Sequence, residues 1–170
     1  MNKRPEHAYR FQNSIENYLV ALLFGAILLI CVVQPLDGDT WWHLRAGEIT
    51  LAQKRPLVID VFSYTKLGES WSSHEWLSEV WMFLFYKVGS FLGLSAWISI
   101  LGFTTSVLLY RFMEGPRVYR ALLTLVSVIL LIPFLKARPQ MVTLVFILLV
   151  ALILERFRRR KDIHLFWLLP

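Results

Sequence analysis

Two carboxylates, an imidazole and two indoles fall within seven residues at Asp37-Gly38-Asp39-Thr40-Trp41-Trp42-His43, immediately after an apolar run. A carboxylate beside apolar membrane surface is costly unless it is paired or put to use. Asp39 and Asp37 are therefore the candidate catalytic residues. Either suits the task of taking a proton from an acceptor hydroxyl. Either also suits holding a divalent cation, Mg or Mn, that neutralises a phosphate leaving group. His43 stands one helical turn beyond Asp39, a common metal-ligand spacing, so Asp39 and His43 are the candidate metal ligands. The plainer alternative is that both aspartates cap a helix at the membrane surface.

A second polar group lies at His74-Glu75 and Glu79. Like charges one turn apart repel, so Glu75 and Glu79 call for a cation, an arginine or a raised pKa, unless they form a solvated face. Arg138 can pair with a phosphate bidentately or anchor the end of a membrane span. His43, His74, Glu75, Glu79 and Arg138 are the candidate substrate-binding residues. Asp60, beside Phe62-Ser63-Tyr64, reads as a loop-ordering residue, and Glu48 as a structural one paired with Arg45 or Lys66. There is no Gly-rich phosphate loop, H-E-x-x-H, G-x-S-x-G or Cys/His cluster, so nucleotide hydrolysis, zinc proteolysis and serine hydrolysis find no support.

The elements that must position these residues are membrane helices. The chain is 56% hydrophobic and 15% aromatic over 170 residues, with a mean hydropathy of +0.54, which excludes an ordinary soluble domain. Its net charge of +6 does not indicate nucleic acid, because Arg and Lys cluster at the ends of apolar runs. The single cysteine, Cys31, lies inside an apolar run and reads as a small hydrophobe. Residues 1–17 form a short leader or interfacial helix, and no cleavage signature follows the first run. Spans are expected at about 18–36, 91–112, 118–135 and 140–157, with a fifth starting at 163. Residues 37–90 form a long loop. Within it, Asp39 to about Gln53 has helical character and Asp39 is a fitting N-cap. His43, Ala46 and Thr50 share a face with Asp39, opposite Trp41, Leu44, Arg45 and Glu48. Lys54-Arg55-Pro56 ends that helix. An irregular stretch turns at Leu67-Gly68-Glu69, and a second helix begins at Ser73-His74-Glu75-Trp76 and runs to about Lys87. The fold class is all-α, a polytopic membrane helix bundle whose long first loop contains amphipathic helices.

Charge sets the expected orientation. With the N-terminus in the cytoplasm, eleven Lys and Arg residues lie inside at span ends, and seven lie outside, spread over the loop and one turn. Seven of the twelve acidic residues fall in that loop and the helix after it. The positive-inside rule thus makes the loop extracytoplasmic. The apolar ending His164–Pro170 suggests that further spans of the same protein follow.

Asp39-Thr-Trp-Trp-His-Leu-Arg-Ala-Gly-Glu-Ile, Asp60-Val-Phe-Ser-Tyr-Thr and Gly68-Glu-Ser-Trp-Ser-Ser-His-Glu-Trp-Leu together resemble the first external loop of bacterial GT-C-type membrane glycosyltransferases. The layout is more distantly similar to that of lipid A aminoarabinose transferases and protein O-mannosyltransferases. The resemblance covers about residues 36–97, with the Arg138-Pro139-Gln140 turn in addition. It implies a bacterial inner-membrane enzyme of many spans, using a polyprenyl-phosphate-linked sugar as donor at the extracytoplasmic face. It places the family's first-loop acid at Asp39. The chain departs from the characterised members at His74-Glu75, where they often carry Lys-Pro-Pro. Membrane lipid, the donor and the remaining C-terminal spans are then the expected partners, and nucleic acid is not. The competing expectation is a non-enzymatic membrane protein, a transporter or a cell-envelope assembly scaffold. Span interiors nearly free of charge count against a transporter.

Overall fold

The computed structural model describes residues 6–32, 37–161 and 164. It is all-helical: α1 (Glu6–Val32), α2 (Thr40–Gln53), α3 (Trp76–Phe112), α4 (Arg117–Leu131) and α5 (Gln140–Arg160), with a 3₁₀ turn at Ile132–Phe134. Four of these, α1, α3, α4 extended by its 3₁₀ turn, and α5, are long and apolar enough to cross a membrane. This is a multi-pass membrane protein. The leader is not separate from the first span, because α1 runs unbroken from Glu6 through the apolar run. The expected end of that span at 33–36 and the fifth span at 163 lie outside the described residues.

The expected boundary between loop helix and second span falls inside α3. Ser90 has φ 50° and ψ −131°, which interrupts the helix between Trp76 and Phe112. The interruption is a sharp reversal. In a straight helix Phe85 and Gly93 would be separated by about 12 Å of rise, yet a Cβ at Gly93 would collide with the Phe85 carbonyl. The rings of Phe85 and Trp97 lie 5.3 Å apart across the same corner. Glycine at 93 is what lets the two arms touch.

The helices pack in two apolar clusters. Leu44, Met82, Leu94, Trp97, Ile98 and Ala137 join the loop helices to the spans. Ile27, Cys31, Val128, Leu135 and Met141 join the spans to one another. Cys31 is fully buried, and a Cβ at Gly102 would sit 2.9 Å from its sulfur. The last carbonyls of a helix have no partner within it. For α1, Ser95 and Ser99 of α3 supply donors, Ser95 Oγ to the Val32 carbonyl at 3.0 Å and Ser99 Oγ to that of Cys31 at 3.3 Å. At the far end Arg120 donates to the Tyr110 carbonyl at 2.6 Å and lies 4.1 Å above its ring. Only 11% of the apolar windows of α1 and α5 is buried within the chain, so lipid or further helices cover the rest.

Serine at a φ of 50° with strongly negative ψ is strained by about 1–3 kcal/mol, part of which glycine recovers. Ser90→Gly is expected to raise the thermal midpoint in detergent by roughly 2–4 °C. Gly93→Leu is expected to abolish the monodisperse peak in size-exclusion chromatography.

Candidate functional site

The loop is built from local rules. α2 begins at Thr40 and stops at Lys54, which adopts the left-handed conformation with φ 55°. Beyond it, Asp60 orders the irregular segment, accepting from the amides of Phe62 at 2.8 Å and Ser63 at 2.9 Å and from the Ser63 hydroxyl. The Ser63 bonds hold its carboxyl below the ordinary value. Gly68, at φ 85°, makes the turn that lets Ile59 and Ser70 pair as a single antiparallel bridge. Asp60 is thus a scaffold residue, as its neighbours suggest. Glu48 is too, in an ion pair with Arg45.

On α2 the face carrying His43, Ala46 and Thr50 is buried, together with Thr40, Leu44 and Gly47. Leu44 faces inward, contrary to the helical-wheel expectation, because α2 lies flush on α3 and buries a broad stripe. The closest approach is at Gly47, where a Cβ would collide with the Glu79 carbonyl. That approach brings His43 to Glu79. Its Nδ1 lies 2.9 Å from Glu79 Oε1 and 4.0 Å from Glu75 Oε2. The Ser73 hydroxyl donates to Glu79 Oε2 at 3.1 Å. His43 and Glu79 side chains are 6% and 2% exposed, whereas Glu75 is 44% exposed. Their ligand-type atoms all lie within 4.8 Å of one another.

Asp37 and Asp39 belong to a different group. Arg138 Nη2 bridges both, at 2.7 Å from Asp37 Oδ1 and 2.6 Å from Asp39 Oδ2. Lys136 Nζ takes the other oxygen of Asp37 at 2.9 Å. Thr40 Oγ1 accepts from the Asp37 amide and donates to the Ala137 carbonyl at 3.3 Å. Asp39 occupies the N-cap position of α2 but makes no side-chain cap bond. Its expected capping role is therefore replaced by the arginine. Arg138, with Lys136 beside it, holds the Asp37 carboxyl well below the usual carboxylate range, and Asp37 in turn raises Arg138. A carboxylate so stabilised as an anion is a poor proton acceptor, and both oxygens of Asp37 are taken up by the clasp of Lys136 and Arg138.

A cation shared by Asp39 and His43 does not fit this arrangement. Two basic side chains already neutralise the aspartates, and His43 presents Nδ1 to Glu79 instead. The sequence brings out His43, Glu75, Glu79 and Arg138 as site residues, and each lies in one of the two groups. Lys136, Thr40 and Ser73 were missed. Lys136 is legible afterwards as part of the same Lys-Ala-Arg turn, but no local pattern marks Thr40 or Ser73.

Two cavities open around Glu75. One, of about 470 Å³, runs between α3 and α5, with His74, Glu75 and Ser78 at one end and Trp81, Trp97, Val142 and Phe146 along its apolar length. Pro139, next to Arg138, also lines it, and its carbonyl lies 3.5 Å from the Ser78 hydroxyl. The other, of about 150 Å³, lies among Trp42, Trp71, Ser73, His74, Glu75 and Glu79. Trp42 and Trp71 pack edge to face at 6.1 Å. Neither protein-family models nor curated proteins nor solved structures yield a match to this chain.

Arg138→Gln is expected to leave Asp37 with lysine alone and to loosen the loop, speeding proteolytic cleavage between residues 54 and 72 by roughly tenfold. Because the folded pKa of Asp37 lies below its unfolded value of about 3.9, the clasp's contribution is complete above that pH and fades as pH falls through the depressed folded value. The difference in proteolytic rate between wild type and Arg138→Gln is thus expected to persist from about pH 7 to pH 4.5 and to shrink only in stronger acid.

Proposed function

We propose that this chain belongs to a membrane glycosyltransferase that uses a polyprenyl-phosphate-linked sugar at the extracytoplasmic face. The observation that carries the reading is the cavity between α3 and α5. Its apolar length suits a prenyl chain, and its polar end at His74, Glu75 and Ser78 is where a phosphosugar headgroup would lie. The resemblance of the Asp39–Ile49 and Gly68–Leu77 segments to GT-C-type loops supports the same class. The tryptophan-walled cleft beside Glu75 has the aromatic and carboxylate surfaces that sugars use.

The geometry favours a different division of labour from the one the resemblance implies. Transfer joins the acceptor oxygen to the anomeric carbon, breaks that carbon's bond to phosphate, and needs a group to take the acceptor proton. Glu75 lines both cavities and is half exposed, so it is the carboxylate in reach of that proton. Asp39 and Asp37 hold Arg138, whose position beside Pro139 sets the charge near the leaving phosphate.

The test is turnover of polyprenyl-phosphate sugars by the full-length protein in nanodiscs. Glu75→Gln is expected to lower kcat by about 10²–10⁴-fold with normal expression. Asp39→Asn is expected to act mainly through loop stability. Wild-type turnover by Glu75→Gln would reject its role as the base, and absence of turnover by the wild type itself would reject the enzymatic reading in favour of the non-enzymatic alternative. Orientation is checked separately, with Lys66→Cys in a Cys31→Ala background. An impermeant maleimide should label that cysteine in intact spheroplasts, and labelling only after lysis would overturn the extracytoplasmic placement.

A further inference from the structure

The strongest feature outside the aspartate clasp is the convergence of His43, Glu75 and Glu79. Glu79 is a carboxylate that is almost completely buried, and burying such a charge is costly unless an opposite charge meets it. Among the described residues no lysine or arginine pairs with Glu79 or Glu75, and their ion pairs run to His43 alone. By contrast, the neighbouring pair Asp37 and Asp39 has two basic partners. The two carboxylates therefore close on one imidazole nitrogen without a permanent cation.

We propose that His43 Nδ1, Glu79 Oε1 and Glu75 Oε2 form a divalent-cation site suited to zinc. Bonds of about 2.0–2.1 Å in a tetrahedral arrangement put ligand atoms roughly 3.3–3.4 Å apart. The observed separations from Nδ1, 2.9 Å and 4.0 Å, bracket that spacing. From Nδ1 this takes a shift of about half an ångström in each contact, and the ligand-type atoms of all three residues already lie within 4.8 Å of one another. One nitrogen and two carboxylate oxygens make a zinc-type donor set, whereas Mg prefers more oxygens and several waters.

The three ligands come from two elements, His43 from α2 and Glu75 and Glu79 from the start of α3. A bound ion would staple the loop helix to the arm that leads into the membrane. Three protein ligands leave a fourth position, and Glu75 and Glu79 line the cleft of about 150 Å³. The site holds independently of sugar transfer. If both readings stand, Glu75 meets the acceptor as a cation ligand instead of as a free base, with the ion supplying Lewis acidity at the cleft.

The experiment is metal analysis by inductively coupled plasma mass spectrometry on the full-length protein, purified with a tag free of histidine and without chelators. About one zinc per chain is expected for the wild type, and less than about one-fifth for His43→Gln and for Glu79→Gln. Adding Zn²⁺ to chelator-stripped wild type, at about a hundredfold over its Kd, is expected to raise the thermal midpoint by roughly 5–10 °C. The same addition should leave Glu79→Gln unmoved. Asp39→Asn serves as a control that retains zinc. Substoichiometric metal in the wild type with no thermal response to Zn²⁺ overturns the site and leaves a hydrogen-bonded His43–Glu79 pair with Glu75 beside it. Equal zinc in all variants also overturns it, by placing the ion elsewhere. Because neither readout measures turnover, a transferase without zinc and a zinc protein without transferase activity give different results.

Discussion

One guanidinium holds the polar end of this molecule together. Arg138 stands in the turn between α4 and α5, and it reaches both aspartates that follow the first span. The apolar cluster around Leu44 and Met82 holds the body of the loop helices against the spans, but it does not reach the residues that begin the loop. The start of the loop is fixed by charge pairing in which one planar donor serves two carboxylates, and by a threonine hydroxyl that bonds the Ala137 carbonyl. The start of α2 is thereby tied to residues far along the chain.

From that anchor the rest of the site follows by close packing. α2 leaves the clasp and lies against α3, and Gly47 allows the backbones to meet at Glu79. His43 is carried inward, toward the acids of α3 and away from Asp39. The reversal at Ser90, with Gly93 tucked under the Phe85 carbonyl, then turns α3 from a loop helix into a span. The two glycines and the arginine divide the work: Arg138 fixes where α2 begins, Gly47 how near it comes, and Gly93 how the chain re-enters the bundle. The polar groups near the membrane thus separate into two sets. One is neutralised within itself, and the other converges on a histidine beside two cavities.

Much of the architecture is legible in the sequence because membrane spans are long and their signal is composition. Residues such as Leu19–Val32 or Val142–Leu154 carry no charge and have only one way to satisfy their backbone in lipid. The end of α2 at Lys54 before Arg55-Pro56, the turn at Gly68 and the scaffold role of Asp60 also read directly, since each depends on a few neighbouring residues. The helical face of His43, Ala46 and Thr50 follows from a repeat of 3.6 residues.

The pairing of the acids was decided elsewhere. Sequence proximity puts Asp39 and His43 one turn apart and suggests a shared site, yet the side chains join different partners: Arg138, distant in the chain, and Glu79 on the facing helix. Likewise nothing local distinguishes Asp37 as the more tightly held carboxylate, because its second cation, Lys136, arrives with the same turn as Arg138. The sequence determined that this chain enters a membrane repeatedly and exposes an acidic, aromatic loop beside it, for those properties are sums over neighbouring residues. Only the tertiary structure decided which charges meet, because an ion pair depends on distances of a few ångströms between segments that the chain order leaves unrelated.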